Sequence, residues 1–140
     1  MKISILKKGL FDQKASAVAL GFFKEDVKKK SFPSNCKKGL TSKITTVFSQ
    51  KDFTGRAGET YLLYPGDKAF PNRILLFGLG DKKKFDWEKY RQAVARMTKR
   101  LDKTEASSIT IALPGEKSWS DFNPLKAVRE GAQSILLCRY

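Results

Sequence analysis

Histidine is absent from the 140 residues, and that absence removes several chemistries at once. Neither a Ser-His-Asp nor a Cys-His nucleophile system can be assembled, and no histidine-containing zinc site can form. The two cysteines, Cys36 and Cys138, lie far apart without CxxC spacing. They read as reduced thiols of a cytosolic protein rather than as a disulfide or metal clip. Acidic residues pair only locally, Asp86 with Glu88 and Asp102 with Glu105. On helices those are cap and surface positions, not a carboxylate dyad in a dry cleft. No catalytic residue and no metal ligand is assigned in this chain.

Three features remain. Gly78-Leu79-Gly80 stands between an apolar strand and a helix, where a dinucleotide fingerprint would lie, but Lys83 occupies the third glycine's place. A tight strand-exit turn fits better than a cofactor loop, no GxxxxGK[ST] phosphate loop exists, and no cofactor-binding residue is assigned. The segment Phe53-Thr54-Gly55-Arg56-Ala57-Gly58-Glu59-Thr60 carries two glycines ahead of a strand. It reads as a specified turn in which glycine supplies a positive φ. Finally, at ~100° per residue Lys89, Arg96, Lys99, Arg100 and Lys103 fall on one side of a helix. That face must be wet, and it is the candidate nucleic-acid contact.

Lysine and arginine total 28 against 14 acidic residues, giving a net charge of +14 spread along the chain. Such a field suits a polyanion or an acidic partner domain, and equally suits plain solubility.

These features need elements to hold them. Ile3 and Ile5 alternate as in a half-buried strand, and Ser16 to Phe23 is a continuous apolar run, a strand covered on both faces. Lys24 to Pro33, with Lys28-Lys29-Lys30, reads as an exposed connection. A helix is predicted within Cys36–Gln50, with Leu40, Ile44, Val47 and Phe48 on its buried side. Glu59–Tyr64 and Arg73–Leu79 are two further strands, joined through Pro65-Gly66-Asp67 and Pro71-Asn72. Trp87, Tyr90, Val94, Met97 and Leu101 form one apolar stripe, capped by Asp86, with Glu88 early and Lys99, Arg100 and Lys103 late. Ile109–Leu113 is a fifth strand. A last helix starts at Asn123 with Pro124 behind it and buries Leu125, Val128, Ala132 and Ile135. It reaches Tyr140 without a stop signal, as if the chain were a piece of a longer protein.

The order β-β-α-β-β-α-β-α predicts one α/β domain, a three-layer αβα sandwich around a mixed sheet. The size is ordinary for one domain and needs no staple. No apolar run approaches the ~20 residues of a membrane span, and the start is too interrupted for a signal peptide.

In order and spacing, Phe53 to Thr60, Leu62-Leu63-Tyr64-Pro65, Arg73 to Gly80, Phe85-Asp86-Trp87-Glu88 and Ser107 to Pro114 resemble the N-terminal domain of the leucyl aminopeptidase (cytosol aminopeptidase) family. Glu130-Gly131-Ala132 is similar to the family's link towards its second domain. The resemblance implies residues 1–140 as a single N-terminal, macro-domain-like fold without catalytic function of its own, serving assembly and access to the active site. It implies a cytoplasmic hexamer whose own C-terminal catalytic domain removes N-terminal amino acids, leucine preferred. There a pair of divalent metals (zinc, manganese or magnesium) is held by Lys, Asp and Glu within motifs such as NTDAEGR. None of those motifs occurs in this chain, so no ligand is carried over. Some bacterial relatives bind DNA, which the charge fits. A macro-type module binding ADP-ribose is a third possibility, although the usual asparagine-containing glycine loop is not evident.

Overall fold

The computed structural model describes residues 2–6, 17–30, 32, 38–66, 73–103, 108–112, 126, 129 and 130. Within them lie β1 (Lys2–Leu6), β2 (Ala17–Phe23), α1 (Lys24–Lys29), α2 (Lys38–Ser49), β3 (Thr60–Leu63), β4 (Arg73–Gly80), α3 (Trp87–Asp102) and β5 (Ser108–Ala112). The strands form one mixed sheet in the order β1-β5-β2-β4-β3. The first four run parallel, and β3 lies antiparallel on β4 at the edge.

β2, and β4 after Arg73, are apolar throughout because both their faces are covered. Successive side chains of a strand point to opposite faces, and the core divides accordingly. Ala17, Ala19 and Phe23 of β2 join Leu75, Phe77 and Leu79 of β4 and Ile111 of β5 beneath α3. Val18, Leu20 and Phe22 join Ile74 and Leu76 beneath α2, which contributes Leu40, Ile44, Val47 and Phe48. Phe22 anchors an aromatic cluster in this second layer, its ring 5.3 Å from Phe48 and 6.3 Å from Phe53, both edge-on. The αβα sandwich follows from these two faces.

α3 matches the sequence stripe closely. Tyr90, Val94, Met97 and Leu101 are buried, with Ala93 and Thr98 beside them, and Trp87 is half-buried. Full burial of each Val, Leu or Met side chain stabilises the fold by roughly 1.5–3 kcal/mol. Thr98 satisfies its hydroxyl by donating to the Val94 carbonyl at 2.8 Å. Burial raises the Tyr90 hydroxyl far above the ordinary phenol range, so the ring stays neutral. Asp86 caps the helix by accepting from the Lys89 N–H at 2.8 Å.

One expectation is corrected. Residues 24–29 form the helix α1, not an exposed connection. Glu25 and Asp26 occupy its first turn and Lys28 and Lys29 its last, the charge order a helix dipole favours. Val27 is buried beneath it, and Lys30 ends it in the left-handed region at φ 53°. A six-residue helix is too short to display a period, so its lysines dominate the sequence pattern. The element order therefore gains a helix after β2. The predicted last helix lies largely outside the described residues, although Lys126, Arg129 and Glu130 are helical. Cys36, Cys138 and the Asp67 and Pro71-Asn72 turn lie outside them entirely.

Candidate functional site

In open α/β sheets, ligands bind in the crevice beyond the carboxyl ends of the strands. Here that edge is where β2 ends at Phe23 and β4 at Gly80, and the segment 53–59 crosses both. The Gly80 N–H donates to the Gly55 carbonyl at 2.8 Å, and the Gly78 N–H donates to the Glu59 carbonyl at 2.8 Å. Gly78 is glycine because a Cβ there would overlap the Arg56 carbonyl oxygen. Gly55 has φ +88° and would press a Cβ to within 3.0 Å of the Phe23 carbonyl oxygen. Gly78-Leu79-Gly80 thus remains inside β4, and its glycines admit the chain's own loop rather than a phosphate.

The loop carries its own anion. The Glu59 Oε1 accepts from the Thr54 N–H at 2.6 Å, from the Gly55 N–H at 2.9 Å and from the Thr54 hydroxyl at 3.1 Å. Successive N–H groups converging on one oxygen are the geometry of an anion nest. The occupant is a side chain five residues downstream of the first donor.

The turn after β4 seals the same edge from the other side. The Lys82 N–H donates to Glu25 Oε2 at 3.2 Å, its Nζ pairs with Asp26 at 3.2 Å, and the Phe23 N–H donates to Asp26 Oδ2 at 3.2 Å. Lys82 also sits 5.8 Å from the Phe23 ring centroid. Among the described residues, the ends of β2 and β4 are contacted by loop, turn and α1.

The five basic residues predicted along α3 differ in exposure, and Lys103 is the helix's C-cap residue. Arg96, Lys99 and Lys103 are exposed, whereas Lys89 and Arg100 are half-buried. Lys89 is engaged: its Nζ donates to the Lys84 carbonyl at 2.6 Å and lies 3.7 Å from Asp86. The Arg96 guanidinium lies against Gly58, where any Cβ would strike it, so this residue joins the basic face to the glycine loop. Sequence reasoning missed that junction, and it missed the role of Glu59. A Thr-Gly pair four to five residues ahead of a Glu was the available signal.

Among the described residues, no group of three or more His, Cys, Asp or Glu side chains could hold a metal ion. Among the described residues, the carboxylates nearest the strand ends are bound to N–H groups and lysines. Nor, among the described residues, is any helix long and apolar enough to cross a membrane.

The N-terminal domain of the cytosol aminopeptidase family matches residues 19–140. The chain belongs to that family. A "Probable cytosol aminopeptidase" from a Geobacter species is 32% identical over 114 residues, covering 81% of this chain and 23% of that protein. Another from Nitrosococcus oceani is 33% identical over 101 residues, covering 71% and 20% respectively. The chain thus spans about a quarter of the length of the curated relatives it matches. Among solved structures, a tomato leucine aminopeptidase mutant superposes with TM-score 0.72 at 19% identity, over 100% of this chain and 28% of that one. The macrodomain of Mycobacterium tuberculosis DarG superposes with TM-score 0.66 at 7% identity, over 96% and 90%. At these identities the likeness is one of fold: a macrodomain-like α/β sandwich, shared by the cytosol aminopeptidase N-terminal domain and by proteins of other kinds.

Proposed function

We propose that this chain is the non-catalytic assembly and scaffold domain of a metal-dependent leucyl aminopeptidase, residues 1–140 forming one N-terminal domain. The observation that carries the reading is the match to the family's N-terminal domain by a chain only a quarter of its relatives' length. Hydrolysis of N-terminal residues then belongs to a C-terminal domain, where a pair of divalent ions (zinc, manganese or magnesium) would activate water and polarise the scissile carbonyl. No step of that chemistry is assigned to residues here. The partners of this reading are its own catalytic domain and further copies in a cytoplasmic hexamer.

The test is direct. Purified 140-residue chain incubated with a leucine chromogenic substrate and manganese should release no chromophore. Metal-dependent turnover by clean protein overturns the reading.

A second reading has one observation in its favour: Arg96 and Lys99 on α3 and Lys103 at its C-cap are exposed. With Lys89 and Arg100 they would contact nucleic-acid phosphates, and affinity would fall steeply with salt. A gel-shift titration with duplex DNA at low and moderate salt decides it; no shift at low salt ends it. For ADP-ribose, the third candidate, calorimetry decides, with absence of heat counting against it.

A further inference from the structure

The first turns of α3 hold two contacts to a much later part of the chain. Arg91 stands between two carboxylates from different elements. Its Nη2 donates to Glu88 Oε2 at 2.5 Å within α3, and its Nη1 donates to Glu130 Oε2 at 2.8 Å. One turn earlier, Lys126 Nζ lies 4.9 Å from the centroid of the Trp87 ring. That ring is itself set by Tyr90, which it meets edge-on at 5.4 Å.

The spacing of these contacts is informative. Trp87 and Arg91 are four apart on α3, and Lys126 and Glu130 are four apart on the later stretch, where Lys126, Arg129 and Glu130 are helical. Residues four apart share one face of a helix. Trp87 meets Lys126 and Arg91 meets Glu130, so both contacts advance in the same direction along each helix. Lys126 and Glu130 therefore follow each other along α3 in the same order as Trp87 and Arg91.

We infer that Arg91 is a positioning residue, a latch that seats the stretch bearing Lys126 and Glu130 against α3. The guanidinium suits this task because its rigid fork serves two carboxylates at once, which a lysine ammonium does not do in one geometry. Glu130 keeps an 18% exposed side chain against 39% for Arg91, so the contact is shielded on the segment's side. Cation and ring at Trp87 add a second point, which fixes direction as well as position. The inference stands on these contacts alone and does not depend on the aminopeptidase reading.

Amide hydrogen exchange of the whole chain tests it, with β4 amides as the internal control for folding. Arg91→Ala should speed exchange across 126–130 by about two- to fivefold, the range of a partly exposed ion pair, with β4 unchanged. Glu130→Gln should match it, and the double variant should be no faster than either single. Arg91→Lys should recover only part of the protection, and Glu88→Gln should leave most of it. Unchanged exchange in Arg91→Ala, or additive effects in the double variant, overturns the latch. Full recovery by Arg91→Lys overturns the bridging role of the fork.

Discussion

Substituting Gly78 by alanine tests whether segment 53–59 is fastened to the strand ends as described. The added Cβ would overlap the Arg56 carbonyl oxygen and lie 2.8 Å from the Gly55 carbonyl carbon. Both obstacles are backbone, so no side-chain rotation relieves them, and the loop must lift. Overpacking of this kind costs about 1–3 kcal/mol. Lifting also strains or breaks the Gly78-to-Glu59 and Gly80-to-Gly55 hydrogen bonds, each worth about 0.5–1.5 kcal/mol net. The expected loss is about 2–6 kcal/mol, a large share of the about 5–15 kcal/mol that holds a domain together. Urea denaturation followed by circular dichroism should show a midpoint well below that of the wild type, with the slope little changed. Gly66→Ala is the control, since Gly66 has φ +71° and nothing within 4 Å of its would-be Cβ. It should suffer only the left-handed penalty of about 1–2 kcal/mol. If Gly78→Ala proves no less stable than Gly66→Ala, the close approach of loop to strand is wrong.

Three other outcomes follow from the same packing. Glu59→Ala strips the acceptor from two N–H groups and one hydroxyl; it should cost about 1–3 kcal/mol, the penalty of orphaned donors. Thermal melts with added formate should recover part of that loss, and no recovery argues against an anion nest. Leu101→Ala, at a fully buried position on α3, should cost about 2–5 kcal/mol in the same denaturation assay. The Arg91 hydrogen bond is the main cause holding the Glu130 carboxyl below the ordinary glutamate range, so its folded-state pKa is the depressed one. Its stabilising contribution is then complete above the unfolded value of about 4.3 and fades as pH falls through the folded value. The melting difference between wild type and Glu130→Gln should be present at neutral pH and vanish in acid; a difference that grows in acid has the wrong sign.

What could be read in advance was whatever repeats locally. The α3 stripe from Tyr90 to Leu101 and the unbroken apolar runs of β2 and β4 are periodic, and burial follows period. The α1 helix was hidden because six residues complete too few turns to reveal their buried Val27 among lysines. The basic side of α3 was legible as a direction but not as a set of free charges. Asp86, recognised as a cap, also draws in Lys89, and Arg96 is drawn against Gly58 by a loop nearly forty residues away in sequence.

The glycine segment marks the limit of such reading most sharply. Glycines at 55, 58, 78 and 80 are compatible with a phosphate cradle, and a cradle is what two N–H groups at Thr54 and Gly55 form. Only the fold shows that the cradle is filled by Glu59 and that Gly78 makes room for backbone, not for ligand. A motif's composition says that the chain approaches something closely; the identity of what it approaches is a long-range property. In this domain the thing approached is the protein itself. The ends of β2 and β4 are held by the chain's own loop, turn and α1 through backbone and side-chain contacts.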